Sequence, residues 1–92
     1  MNDDLIRMKA DNTLSADEQA RWDELVESTE KWEFSGTVLL DGSDTFIVGI
    51  PVCRVAVVVH NFADLELETR ERIAETLGID FDNITLALEH QY

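Results

Sequence analysis

Carboxylates at helical spacing are the side chains of this 92-residue chain whose type and spacing most clearly predict a function. In one predicted helix they lie opposite an apolar stripe, and in a second they recur at positions i, i+3 and i+7. Like charges at such spacings cost a helix roughly 0.3 kcal/mol per pair, so carrying them on both helices suggests a use for their field. The candidate partner-binding residues are Asp23, Glu24, Glu27, Glu30, Glu68, Glu71 and Glu75.

The chain as a whole is strongly acidic, with 20 Asp and Glu against 7 Lys and Arg and a formal net charge of −13. From Asp23 to Glu30 a helix rises about 10 Å, which spaces neighbouring charges by roughly 3.5 Å, close to the phosphate spacing along a DNA strand. We therefore expect a non-enzymatic acidic binding protein that inhibits or regulates a basic, nucleic-acid-handling protein, as a DNA mimic, an anti-defence protein or an antitoxin. Direct nucleic acid binding is not expected, because phosphates would be repelled.

The same charges also have ordinary explanations. A soluble amphipathic helix places its charged residues outside, and the sequence allows three ion pairs at spacing i, i+4. High acidity with only two lysines, Lys9 and Lys31, also fits adaptation to high salt. The alternative function is therefore a homodimeric structural or accessory subunit whose acidity serves only solubility or salt adaptation. The pairs allowed by the spacing are Asp17 with Arg21, Glu27 with Lys31, and Glu68 with Arg72.

Catalytic and cofactor motifs are missing from the sequence. No serine belongs to a nucleophile, histidine and acid pattern, and no glycine-rich phosphate loop occurs, so we expect neither an enzyme nor a cofactor. His60 and His90 fall near strand ends without a third ligand, so no metal site is predicted. The segment 41–44 lacks the ligand spacing of a calcium loop and is explained as a turn. Cys53 cannot form an internal disulfide and is expected to be a small buried hydrophobe.

Two helices are predicted to position the carboxylates. Ser15 and Glu18 form a capping box, from which the first helix should run over about 16–31. The second helix is expected over about 67–77, with Gly78 as its left-handed C-cap. Residues 1–14 are expected to be a loosely ordered N-terminal segment, with a short extra turn over 3–10. The apolar face of the first helix is predicted to hold Trp22, Leu25, Val26, Thr29 and Trp32.

Four strands are predicted between and after these helices. Runs over 37–40 and 45–49 flank Asp41 and Gly42, a strong hairpin signal, and Pro51 then breaks the ladder. The continuous apolar run over 54–59 predicts a central strand covered on both faces. The last strand, over 84–88, is expected to lie parallel to the third because the connection is long enough for a right-handed crossover.

These elements predict a single α+β domain over residues 1–92. It is a two-layer sandwich in the order α-β-β-β-α-β, with two helices on one face of a four-stranded mixed sheet. The other face of the sheet is left uncovered by helices. One hypothesis is that a homodimer forms through this face, and the alternative is that the face is solvated. Without an apolar run of about 20 residues or a secretory signal, a cytoplasmic protein that does not contact the membrane is expected. The candidate dimer face comprises Leu39, Ile47, Ala56 and Val58.

Overall fold

The structure is a computed structural model that describes residues 3–91. Three α-helices and four strands are joined by short loops and by three single 3₁₀ turns, at Pro51–Cys53, Phe62–Asp64 and Phe81–Asn83. In chain order the elements are α1 (Asp3–Asp11), α2 (Ala16–Ser28), β1 (Trp32–Asp41), β2 (Thr45–Ile50), β3 (Val55–Val59), α3 (Leu65–Leu77) and β4 (Ile84–His90). No helix within the described range is both long and apolar enough to cross a membrane.

The four strands form one mixed sheet in the order β3-β2-β1-β4. β1 and β3 each pair with β2 in antiparallel fashion, whereas β4 pairs with β1 in parallel. Alternate side chains on the strands are buried beneath the helices, and the intervening ones face the other way. The predicted α+β class with a mixed four-stranded sheet is confirmed.

The position of β3 differs from the prediction of a central strand, because β3 is an edge strand. Val55, Val57 and Val59 are buried, but Ala56 and Val58 are exposed, so only one face of this strand is covered. Valine suits a pleated strand on either face, and the unbroken apolar run was therefore not evidence of double burial. β4 has the same direction as β3, but it hydrogen-bonds to β1, so two strands separate β3 from β4.

The capping box at the start of α2 is confirmed, whereas the end of that helix is not. Ser15 donates its backbone amide to Glu18 Oε1 at 2.9 Å, and its hydroxyl accepts from the Glu18 amide at 3.3 Å. The helix ends at Ser28, three residues before the expected end, and Thr29 is already extended. Because Trp32 opens β1, it reaches the core from the sheet and packs 5.6 Å from the Trp22 ring.

Residues 1–14 were expected to be loosely ordered with a short turn over 3–10, but Asp3–Asp11 form a helix of nine residues. Residues 1 and 2 lie outside the described range. Leu5 and Ile6 are buried in the core, and α1 packs against α2, α3 and the Pro51–Cys53 turn. A helix this short is marginal in isolation, so its order comes from tertiary burial that local sequence patterns do not reveal. The helix layer therefore contains three helices, and α1 contacts both of the others.

Two glycines and Cys53 behave as their sequence context predicts. Gly42 in the hairpin and Gly78 after α3 have positive φ angles of 81° and 67°. Gly78 donates its amide to the Ala74 carbonyl, which closes the last turn of α3. Cys53 is buried against the helices, and this burial raises the pKa of its thiol. The thiol is therefore a core side chain.

Candidate functional site

Three of the predicted carboxylates lie on α2. Asp23, Glu24 and Glu27 are all exposed, on the side of the helix away from the buried Trp22. Asp23 accepts a hydrogen bond from Gln19 Nε2 at 3.0 Å, one turn earlier in the same helix. From Asp23 to Glu27 the helix rises about 6 Å, so this row covers little more than one turn.

Glu30 is exposed but does not belong to the row on α2. It lies in the bend after Thr29, where the backbone has left the helix, so its expected place on the helical face is wrong. The Thr29 hydroxyl donates to the Leu25 carbonyl at 2.6 Å and satisfies the end of the helix. The regular spacing of charges predicted from Asp23 to Glu30 therefore stops at Glu27.

The second row lies on α3, where Glu68, Glu71 and Glu75 are exposed as predicted. The opposite side of this helix faces the sheet and is buried. Glu71 and Glu75 follow the exposed Leu67 by one and two turns, and these side chains border a shallow depression next to Phe81. The buried side consists of Leu65, Thr69, Ile73 and Leu77.

No Lys, Arg or His side chain within residues 3–91 comes within ion-pair distance of the carboxylates of either row. The three ion pairs that the i, i+4 spacing allows do not form in the structure. The ion pair present between described residues joins Arg54 Nε to Asp11 Oδ1, at 3.7 Å. Arg70 points inward instead, because its guanidinium lies 4.4 Å from the Phe81 ring centroid and donates to the Phe81 carbonyl. The carboxylates of the two rows therefore remain without an ion-pair partner among residues 3–91.

The two rows are not brought together into one site. The helices that carry them, α2 and α3, share little contact with each other, whereas α1 packs against both. Exposed carboxylates also occur outside the helices, so the negative charge of the surface is not confined to the two rows. On the strands these are Glu33, Asp41 and Glu89.

The sheet face that lies away from the helices is termed the open sheet face. On it, Leu39 of β1 is paired in register with Ile47 of β2, which is paired with Val58 of β3. These three side chains are termed the apolar row. The neighbouring row contains Ala56, opposite Gly49. The structure thus places all four residues of the predicted dimer face together on one surface.

The charged residues of the open sheet face are all acidic. Glu33, Asp41 and Glu89 occupy outward positions on β1 and β4, and no Lys or Arg occupies an outward strand position in the described range. Glu89 lies opposite Thr37, two residues before Leu39. Carboxylates therefore flank Leu39 on both sides along the direction of β1.

The two histidines lie on opposite edges of the sheet. His60 directly follows β3, with its Nδ1 3.4 Å from the Thr45 hydroxyl, whereas His90 ends β4 with its ring 5.8 Å from Phe62. No group of three or more His, Cys, Asp or Glu side chains within residues 3–91 is arranged to hold a metal ion.

Phe62 is a surface residue that the sequence analysis did not single out. Its side chain is exposed in the 3₁₀ turn before α3, and its ring lies 5.5 Å from that of Phe46. Together with Leu86, Leu88 and His90 it borders a shallow cavity of about 310 Å³ between the start of α3 and β4. The sequence signal for this exposed side chain was an aromatic residue within the polar connection 60–64.

The surfaces that stand out are thus the two helical rows and the open sheet face. No family model, curated protein or solved structure matches the chain. A function must therefore be inferred from exposure, charge and strand register within this chain.

Proposed function

We propose that this chain is a non-enzymatic acidic binding protein that inhibits or regulates a positively charged, nucleic-acid-handling protein. The proposal belongs to the class of nucleic-acid mimics and of anti-defence or antitoxin proteins. The observation that carries it is the exposure of the carboxylates on α2 and α3 without a basic side chain within 4.0 Å. Charges left available in this way extend their field into the solvent.

The proposed mechanism has two stages. The long-range stage is electrostatic steering, in which the net charge of −13 raises the rate of encounter with a cationic surface. The short-range stage is a contact with apolar burial, because rim charges alone contribute little to the final affinity. Binding would then block the partner's nucleic-acid site by occupying it or by covering its entrance.

A comparative capture experiment tests the proposal. Wild-type chain, the variant Asp23→Lys/Glu27→Lys and a control variant Thr13→Lys/Ser43→Lys are used as baits in an extract of the native host. The control adds two lysines at exposed positions that lie outside the rows. We expect a basic nucleic-acid-handling protein to be recovered with the wild type, retained by the control and depleted with the row variant. Recovery of only acidic or neutral proteins contradicts the proposal.

The alternative is a homodimeric accessory subunit that associates through the open sheet face. The exposure of Leu39 and Val58 supports an association of some kind on this face. Under this alternative the helical lysine substitutions would be silent, whereas Ile47→Asp would abolish assembly. A molar mass that does not change with concentration in light scattering contradicts it.

A further inference from the structure

We infer that the open sheet face is the docking surface for the basic partner, and that this partner presents apolar side chains surrounded by Lys or Arg. The inference rests on the proposed function, which requires a basic partner but does not say which surface meets it. Protein interfaces combine a dry apolar centre with a polar rim. The open sheet face has both parts, arranged around Leu39.

The centre of this surface is the apolar row. Leu39 is 46% exposed and Val58 is 58% exposed, although both belong to regular strands. Across β1, β2 and β3 the row extends for about 10 Å, the width that two strand spacings give. Next to it, a β-carbon at Gly49 would meet only Thr37 Oγ1, at 3.9 Å, so the sheet backbone is accessible there. A partner side chain can therefore approach the sheet closely beside Ile47.

The rim of this surface is supplied by carboxylates. Asp41 follows Leu39 by two residues on the same face of β1, and Glu89 is paired with Thr37 on the other side of Leu39. About 13 Å separates positions 37 and 41 along a strand. Basic groups on either side of an apolar partner side chain could therefore reach both carboxylates of the rim. Charges at such a rim set the specificity and the association rate.

A second copy of the chain fits this surface poorly. Face-to-face association would bring Glu33, Asp41 and Glu89 of two molecules into one contact, and no Lys or Arg occupies an outward position on the described strands. Like charges in a shared interface cost several kcal/mol. Arg54, which directly precedes β3, is engaged with Asp11 at the end of α1. The charge of the face therefore favours a basic occupant.

The inference is tested with a synthetic nine-residue peptide that carries Leu at positions 3, 5 and 7, Lys at positions 1 and 9, and Ser between them, so that Leu and Lys share one face of the extended peptide. Two comparison peptides keep the length, one with Ser replacing Leu and one with Ser replacing Lys. Binding is followed by amide chemical shifts of the isotope-labelled full chain. We expect the Leu and Lys peptide to shift amides around Leu39, Ile47 and Val58, and both comparison peptides to bind at least tenfold more weakly, because each lacks one half of the complementarity.

Matched variants distinguish docking on the open sheet face from docking on the helices. Leu39→Ser removes an apolar side chain from the row, and Leu67→Ser removes one of almost equal exposure, 47%, from α3. We expect the first to weaken binding of the Leu and Lys peptide about tenfold and the second to change it less than twofold. Val58→Thr, which preserves the β-branched shape, is expected to weaken binding as well if Leu39→Ser fails to fold.

Each other outcome overturns a defined part of the inference. Amide shifts confined to α2 and α3 overturn the docking surface but leave the proposed function standing. Failure of both lysine-containing peptides to bind overturns the inference and counts against the proposed function. Shifts of the apolar row that grow with protein concentration alone identify a second copy as the occupant and overturn the basic one.

Discussion

The Cδ1 atom of Ile50 lies in the space that a β-carbon on Gly36 would occupy. The Gly49 carbonyl oxygen crowds the same space from the neighbouring strand, so no side chain fits at position 36. The close approach allows Ile50, which is fully buried, to pack over β1. Gly36 thus determines how tightly the two central strands and the core meet.

Replacing Gly36 by alanine is expected to lower the free energy of unfolding by about 2 kcal/mol or more, because overpacking in a dense core forces neighbouring atoms to move. Gly49→Ala is the matched control, since a β-carbon there meets only Thr37 Oγ1 at 3.9 Å. Urea denaturation of both variants measures the difference. Equal stability of the two variants contradicts the packing argument.

The capping box at the start of α2 makes stability depend on pH. The Ser15 amide and hydroxyl hold the pKa of Glu18 below its ordinary value of about 4.5. Because the folded pKa is the lower one, this contribution to stability is present above the ordinary value and is lost as the pH falls through the folded pKa. Glu18→Gln should therefore reduce the stability difference between neutral and acidic pH.

Removal of the cap side chain tests the same motif at neutral pH. Ser15→Ala is expected to cost about 1 kcal/mol, because one amide of the first turn of α2 loses its acceptor. Ser43→Ala, at an exposed position in the hairpin turn, is the control and should be close to neutral. Thermal unfolding followed by circular dichroism measures both, and a neutral Ser15→Ala would contradict the role of the cap.

The packing of α1 predicts that the N-terminal segment is needed for stability. Leu5→Ala and Ile6→Ala should each cost about 2 kcal/mol or more, because both side chains are buried in the core. Arg7→Ala changes an exposed neighbour and should cost little. Chemical denaturation of the three variants measures the costs. Near-wild-type stability of Leu5→Ala and Ile6→Ala would mean that α1 is not docked.

The unpaired carboxylates predict that salt stabilises the fold. Raising NaCl from about 0.02 M to about 0.5 M shortens the Debye length several-fold and screens self-repulsion. Each 1 kcal/mol of repulsion removed raises the Tm by about 5 °C for a chain of this size. The variant Glu68→Gln/Glu71→Gln/Glu75→Gln should gain less from salt than the wild type. An identical salt response would show that the α3 row contributes no repulsion.

Local signals in the sequence were sufficient for the hairpin, the start of α2 and the strand faces, whereas α3 begins at Leu65, two residues before the expected start. Gly42 supplies the positive φ of its turn, and the Ser15 capping box needs only four residues. The alternation of Leu39 and Ile47 with buried neighbours also follows from the pleat alone. Each of these features depends on contacts between residues near one another in the chain or directly paired.

Features set by distant contacts were missed. The edge position of β3 depends on which strand β4 joins, and the valines of β3 fit either place. Trp32 matched the helical spacing of Trp22, but tertiary packing drew it into β1. The exposure of the helical carboxylates was predicted. The displacement of Glu30 was not, because it depends on where α2 ends. The predicted i, i+4 ion pairs do not form, because such pairs depend on side-chain conformation.

The edge position of β3 has a consequence for how the chain behaves in concentrated solution. No strand within residues 3–91 covers the outer side of β3, and its valines give it a strong tendency to pair with further strands. The abundant negative charge keeps molecules apart and so hinders such pairing at neutral pH. Acidification would protonate the carboxylates while leaving the valine edge intact, so the protein should form β-rich aggregates near its isoelectric point.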